Sequence, residues 1–170
     1  GAYAAQVGVR PFGDGGRWLG PGTGTPRLRR IVGPRRLWCE RDLGREREAY
    51  ASLLASCPSL TPPDEGEALW TFDEVGMLQV LAELSRSPVP HALEWRGARG
   101  LLLAGTVTAH NLRGRLRRIK RWYLAEGTAH LDGDTRATLA ELAAMPTLAK
   151  GRFLRIAPGQ YLEVEARLLR

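Results

Sequence analysis

Glycine and proline interrupt this chain so often, with 20 of one and 11 of the other in 170 residues, that only short elements fit between them. Glycine opens backbone conformations that other residues avoid, and proline removes a hydrogen-bond donor, so each cluster reads as a turn or a stop. The densest clusters, Gly13-Asp14-Gly15-Gly16 and Pro21-Gly22-Thr23-Gly24, surround Trp18 and Leu19 and predict a looped connection. Before it, Tyr3, Ala5, Val7 and Val9 alternate with a more polar set, the pattern of a half-buried strand over Tyr3 to Pro11. After it, two short strands are expected, Arg27 to Val32 and Arg35 to Glu40, joined at Gly33-Pro34.

Two helices are then predicted, each with an acidic N-cap. Asp42 precedes Leu43, Ala49, Tyr50, Leu53, Leu54 and Cys57 at helical spacing, and Pro58 stops the run. A loop over Thr61 to Glu67 and a short apolar segment, Ala68 to Phe72, lead to Asp73, ahead of a buried face built on Val75, Leu78 and Ala82. The second half reads differently. Ala92 to Arg96, Gly100 to Val107, Asn111 to Arg118 and Trp122 to Leu131 are strand candidates that suggest an antiparallel meander. Thr138 and Glu141 make a capping-box pattern for a further short helix, and Phe153 to Ile156 with Tyr161 to Val164 form a hairpin around Pro158-Gly159. The expected class is α+β, a mainly antiparallel sheet with about three to four helices packed on it. Its division would be 1–60 and 67–170, with one continuous domain over 1–170 as the other arrangement.

Several function classes lose support at this level. No stretch approaches the roughly 20 apolar residues of a membrane span, and Gly1 to Arg10 lack the form of a signal peptide, so a cytoplasmic protein with no membrane partner is expected. Cys39 and Cys57 have no second ligand at metal spacing, and both read as buried free thiols. His91, His110 and His130 lie beside or within strand candidates, and their proximity is not legible from the sequence. The run Gly20-Pro21-Gly22-Thr23-Gly24 lacks the Gly-Lys-Ser/Thr ending of a phosphate loop and reads as a structural turn. Asp132 and Asp134 flank Gly133 as turn residues rather than as a catalytic pair, and no catalytic residue, cofactor site or metal site is predicted.

Charge carries the strongest signal. The net charge is +7, carried by 25 basic against 18 acidic side chains. Eight of the basic residues, Arg96, Arg99, Arg113, Arg115, Arg117, Arg118, Lys120 and Arg121, fall between Trp95 and Ala125 with no acidic residue among them. Strand alternation puts Arg113, Arg115 and Arg117 in a row about 7 Å apart, on the scale of successive phosphates, and Trp122 follows as a stacking surface for an unpaired base. A second cluster, Arg27, Arg29, Arg30, Arg35 and Arg36, falls on the expected early hairpin, while Thr61 to Trp95 is acidic apart from Arg86. Such asymmetry suits a polyanion, an acidic partner surface, or a strand edge kept charged against aggregation.

The order of several short motifs also carries a resemblance. Val7-Gly-Val-Arg-Pro11, Trp18-Leu-Gly-Pro-Gly22 and Arg41-Asp-Leu-Gly-Arg-Glu46 are followed by Glu94-Trp95, Arg121-Trp122-Tyr123 and Leu131-Asp132-Gly133, then by Gly151-Arg152-Phe153 and Gly159-Gln160-Tyr161-Leu162. In this order they resemble the helicase-associated region that precedes the motor of large bacterial Swi/Snf-type ATPases, over nearly the whole chain. The chain departs from that pattern at Arg121, where the family often has an acidic residue. The resemblance implies an accessory fragment of a DNA-dependent translocase, not itself an enzyme, with ATP and magnesium confined to the motor. A start at Gly1 and an end in a helix-like run from Glu165 fit such a fragment. The expected partners are DNA, or RNA in its place, and the motor of the same parent chain, in a bacterial cytoplasm with the nucleoid as a further setting. The expected contact residues are Arg113, Arg115, Arg117, Arg118, Lys120, Arg121 and Trp122. A docking or autoinhibitory module for the motor is the other expectation.

Overall fold

The computed structural model describes residues 2–13, 16–61, 69–97, 100–108, 110, 112–119, 122–130, 136–138 and 151–168. Helices and mainly antiparallel sheets coexist, so the α+β class holds. The chain divides into two compact units, Gly1–His91 and Ala92–Arg170.

In the first unit, β1 (Tyr3–Gln6) pairs antiparallel with β4 (Leu69–Phe72), and β2 (Arg27–Val32) pairs antiparallel with β3 (Arg35–Glu40) as a separate two-stranded ribbon. Helix α1 (Leu43–Ser56) starts where the Asp42 carboxylate accepts the Arg45 N–H at 3.0 Å. Helix α2 (Glu74–Leu84) starts where Asp73 does the same for Gly76 at 2.7 Å. Each carboxylate satisfies an N–H that the first helical turn leaves without a partner. The core gathers Leu53, Cys57 and Leu60 with Trp70, Met77, Leu78, Leu81 and Ala82. Glu83 seals it at one edge by accepting the Ser59 N–H and hydroxyl, both at 2.9 Å.

The Gly-rich connection is held by specific packing. Val9 and Leu19 exchange backbone hydrogen bonds of 2.8 and 3.0 Å. The Arg10 guanidinium lies 4.5 Å from the centre of the Trp18 ring, and the ring comes so close to Gly8 that a Cβ there would stand 2.7 Å from it. Farther on, the Arg41 side chain, only 2% exposed, pairs bidentately with Glu46, its Nε and Nη2 each donating to one carboxylate oxygen. It also donates to the carbonyls of Thr23 at 2.8 Å and Gly20 at 3.1 Å. Gly22 donates its N–H to Glu46 at 2.8 Å and accepts from Arg47 at 2.9 Å. With φ at +66° and space for a Cβ only 2.1 Å from the Arg47 side chain, position 22 requires glycine.

In the second unit, β5 (Leu102–Val107), β9 (Phe153–Ala157) and β10 (Gln160–Val164) form one sheet in the order β5-β10-β9. Strand β10 runs antiparallel to β9 and parallel to β5, and Tyr161 through Val164 are all buried, as a central strand covered on both faces should be. A second sheet, β6 (Leu112–Ile119), β7 (Trp122–His130) and β8 (Arg136–Thr138), falls in the chain between β5 and β9.

Four sequence expectations need correction. Residues 92–96 form no strand, and β5 leaves the meander to join β10. A parallel pair needs a long crossover, which the segment containing β6, β7 and β8 supplies. Two α-helices are present among the described residues, fewer than expected; Thr138 ends β8, and the further helix expected after it lies outside the described residues. The terminal helix-like run is a 3-10 turn, Ala166–Leu168.

Replacing Glu46 by Gln keeps the shape of the brace but leaves a buried guanidinium without its counter-charge. The expected cost in urea unfolding is about 3 kcal/mol, the lower end for a broken buried pair because Glu46 retains 17% exposure. The Arg41 hydrogen bond, and secondarily the Gly22 N–H, hold the Glu46 carboxyl below its ordinary value of 4.5. Its contribution is therefore complete above that value and lost as pH falls through the lower folded-state value. The stability gap between the parent chain and E46Q should shrink on acidification over that interval.

Candidate nucleic-acid interface

Strand register places the Arg row. Arg113 stands opposite Thr128, Arg115 opposite Glu126, Arg117 opposite Leu124 and Ile119 opposite Trp122. Directly paired residues share a face of a β-ladder, and alternate residues along a strand share it too. Arg113, Arg115, Arg117 and Trp122 are therefore on one face of the β6–β7 pair, and Arg113 is exposed. Arg118, opposite Tyr123, is on the other face. Lys120 and Arg121, between the two strands, lie outside the described residues. The same register brings Glu126 across from Arg115, a carboxylate that the linear charge map stops one residue short of. Only a pairing register links positions that far apart in sequence.

The second basic cluster is on the β2–β3 ribbon. Arg29 pairs with Trp38 and Ile31 with Arg36 on one face, while Arg30 pairs with Leu37 and Val32 with Arg35 on the other. Arg27 and Glu40 close the base of the ribbon at 3.5 Å. Arg29 lies 5.9 Å from the centre of the Trp38 ring. Sequence reasoning noticed these arginines but not the aromatic and aliphatic residues that the register sets among them.

The remaining candidates take structural places. A phosphate at the Gly20–Gly24 turn would need free backbone donors, yet the Gly22 N–H is held by the Glu46 carboxylate. His91 places Nδ1 2.8 Å from the Val89 carbonyl, His110 is exposed, and His130 pairs with Arg136 across β7 and β8. Among the described residues no group of three His, Cys, Asp or Glu side chains is arranged to hold a metal ion. Glu163, buried on β10, is occupied by Arg152 at 3.2 Å and the Thr106 hydroxyl at 3.3 Å. Asp132 and Asp134 lie outside the described residues.

Cys57 is buried as expected, but Cys39 is only half-buried because it belongs to the two-stranded ribbon rather than to a core. Comparison of the chain with protein-family models, with curated proteins and with solved structures finds no match.

The two thiols should separate chemically. Burial pushes the Cys57 thiol up, the Glu83 carboxylate adds to that, and the Ser56 hydroxyl only partly opposes it. A thiol-reactive aromatic disulfide at neutral pH should label Cys39 readily in the folded chain, and Cys57 only after urea is added. Equal labelling rates in the folded protein would contradict this packing.

Proposed function

We propose that this chain is a non-catalytic accessory module of a nucleic-acid-dependent ATPase of the Swi/Snf type and contacts DNA through the Arg-bearing face of β6. One observation carries the reading: the alternation that puts Arg113, Arg115 and Arg117 in a row also puts Trp122 on their face. A row of cations contributes affinity through the phosphates without reading sequence, and an aromatic adds stacking on an unpaired base. The motif order described above supplies the link to a translocase; RNA in place of DNA would use the same contacts. Hydrolysis of ATP belongs to the motor of the parent chain in this reading, and the module acts in the bacterial cytoplasm.

A second reading has its own support. Glu126 opposite Arg115 interrupts the cationic row with a carboxylate, which repels phosphate but suits a mixed-charge protein surface. The basic face would then dock on an acidic surface of the motor and restrain it.

Anisotropy of labelled single-stranded and duplex DNA against the chain, over a salt series, separates the two readings. The triple substitution R113S/R115S/R117S should weaken binding to every sequence and flatten the salt dependence by about 2–3 in log–log slope, as expected for three lost phosphate contacts. E126Q should tighten binding a few-fold by removing the Glu126 carboxylate from that face. Unchanged affinity in the triple variant would remove the DNA reading. A change in the motor's ATPase rate on adding the chain, without DNA binding, would establish the docking one.

A further inference from the structure

The β2–β3 ribbon carries an arrangement that neither the fold nor the β6 reading uses. Among the described residues seven large apolar side chains stand exposed, and four of them, Ile31, Val32, Leu37 and Trp38, are on this ribbon. Trp38 is 71% exposed. A ribbon kept charged only to prevent edge pairing has no use for a bare indole, which invites the association that the charges would prevent. Phosphate contact alone does not call for it either.

The register gives these residues a pattern. On one face Arg29 faces Trp38 and Ile31 faces Arg36, so cationic and apolar residues alternate both along and across the strands. Arg29 and Arg36 are diagonal neighbours, about 7–8 Å apart, with Trp38 beside both. All four residues are exposed. Among the described residues no carboxylate pairs with Arg29, Arg30, Arg35 or Arg36, whereas Arg27 has Glu40. The other face contributes Arg30 and Arg35, so phosphates on either side of the ribbon meet cations.

We propose that the face formed by Arg29, Ile31, Arg36 and Trp38 binds single-stranded nucleic acid, with Trp38 stacking on an unpaired base and Arg29 and Arg36 holding the phosphates that flank it. An indole needs the face of a base, which duplex pairing keeps covered by neighbouring pairs and an unpaired strand offers. The cations flanking it match a chain that alternates apolar bases with anionic phosphates. This inference does not rest on the β6 reading, because the ribbon belongs to the other compact unit and shares no residue with it.

The test uses the whole chain with a labelled oligothymidine and an abasic strand of equal length, which keeps the phosphates and lacks the bases. W38A should weaken oligothymidine binding about tenfold, W38F should restore most of it, and all three proteins should bind the abasic strand alike. R29S/R36S should weaken both strands and reduce the log–log salt slope by about 1.4. The exposure of Trp38 means that W38A should melt at the parent temperature, so a loss of binding reads as a loss of contact. Three results would each overturn the proposal: no binding of oligothymidine by the parent, parent-like binding by W38A, or an equal loss by W38A on both strands. Self-association of the parent that W38A abolishes, with oligothymidine affinity unchanged, would assign the face to a second copy of the chain instead. Combining W38A with R113S/R115S/R117S keeps the two surfaces distinct, since failure of either leaves the other's loss measurable.

Discussion

Arg41 stands at the junction of three segments of the first unit. Its backbone N–H donates to the Pro26 carbonyl where β2 begins, at 2.7 Å, and it directly follows the last residue of β3. Its side chain binds the carbonyls of Gly20 and Thr23 in the Gly-rich connection, and Glu46 in the first turn of α1. A guanidinium is tolerated at 2% exposure only when its charge is balanced and its donors are used, and here one carboxylate and two carbonyls supply both. The consequence reaches the surface: the base of the β2–β3 ribbon is tied to the helix and the loop, while its tip at Gly33-Pro34 stays exposed. An arm held in this way presents its side chains in the order that the β2–β3 register fixes.

This brace and a neighbouring aromatic stack account for several residues of the short motifs in the first half of the chain. Gly8, Arg10 and Trp18 form one stack, and Gly20, Gly22, Arg41 and Glu46 form the ion-pair cluster. These are structural tasks, so this part of the motif order marks a way of folding and leaves the chemistry to other surfaces. The two basic strands differ in that respect. On β6 Arg113, Arg115 and Arg117 share a face with Trp122 and, across the ladder, with Glu126, whereas on the ribbon the cations alternate with exposed apolar groups.

Much of the local structure was legible because its causes are local. Asp42 and Asp73 cap their helices through N–H groups three residues on, and Gly33-Pro34 and Pro58 end elements where they stand. Expectations failed where the partner lay far away in sequence. Nothing near Gly100 to Val107 distinguishes a strand that pairs with its neighbour from one that waits for Tyr161 to Val164. Unpaired cysteines are commonly buried, which puts Cys39 in a core on sequence grounds, but among the described residues its strand pairs with β2 alone.

The sequence by itself determined the α+β class, the caps, the hairpins and the position of the arginines along each strand, because period, turn chemistry and capping act within a few residues. Tertiary structure decided which strands meet, which residues share a face with those arginines and whether an indole is covered. Those outcomes depend on long-range pairing, where a shift of one residue in register exchanges the two faces of a strand, and no local pattern specifies it. For that reason the cationic row on β6 could be read from the chain alone, while Glu126 opposite Arg115 and the exposed Trp38 beside Arg29 could not.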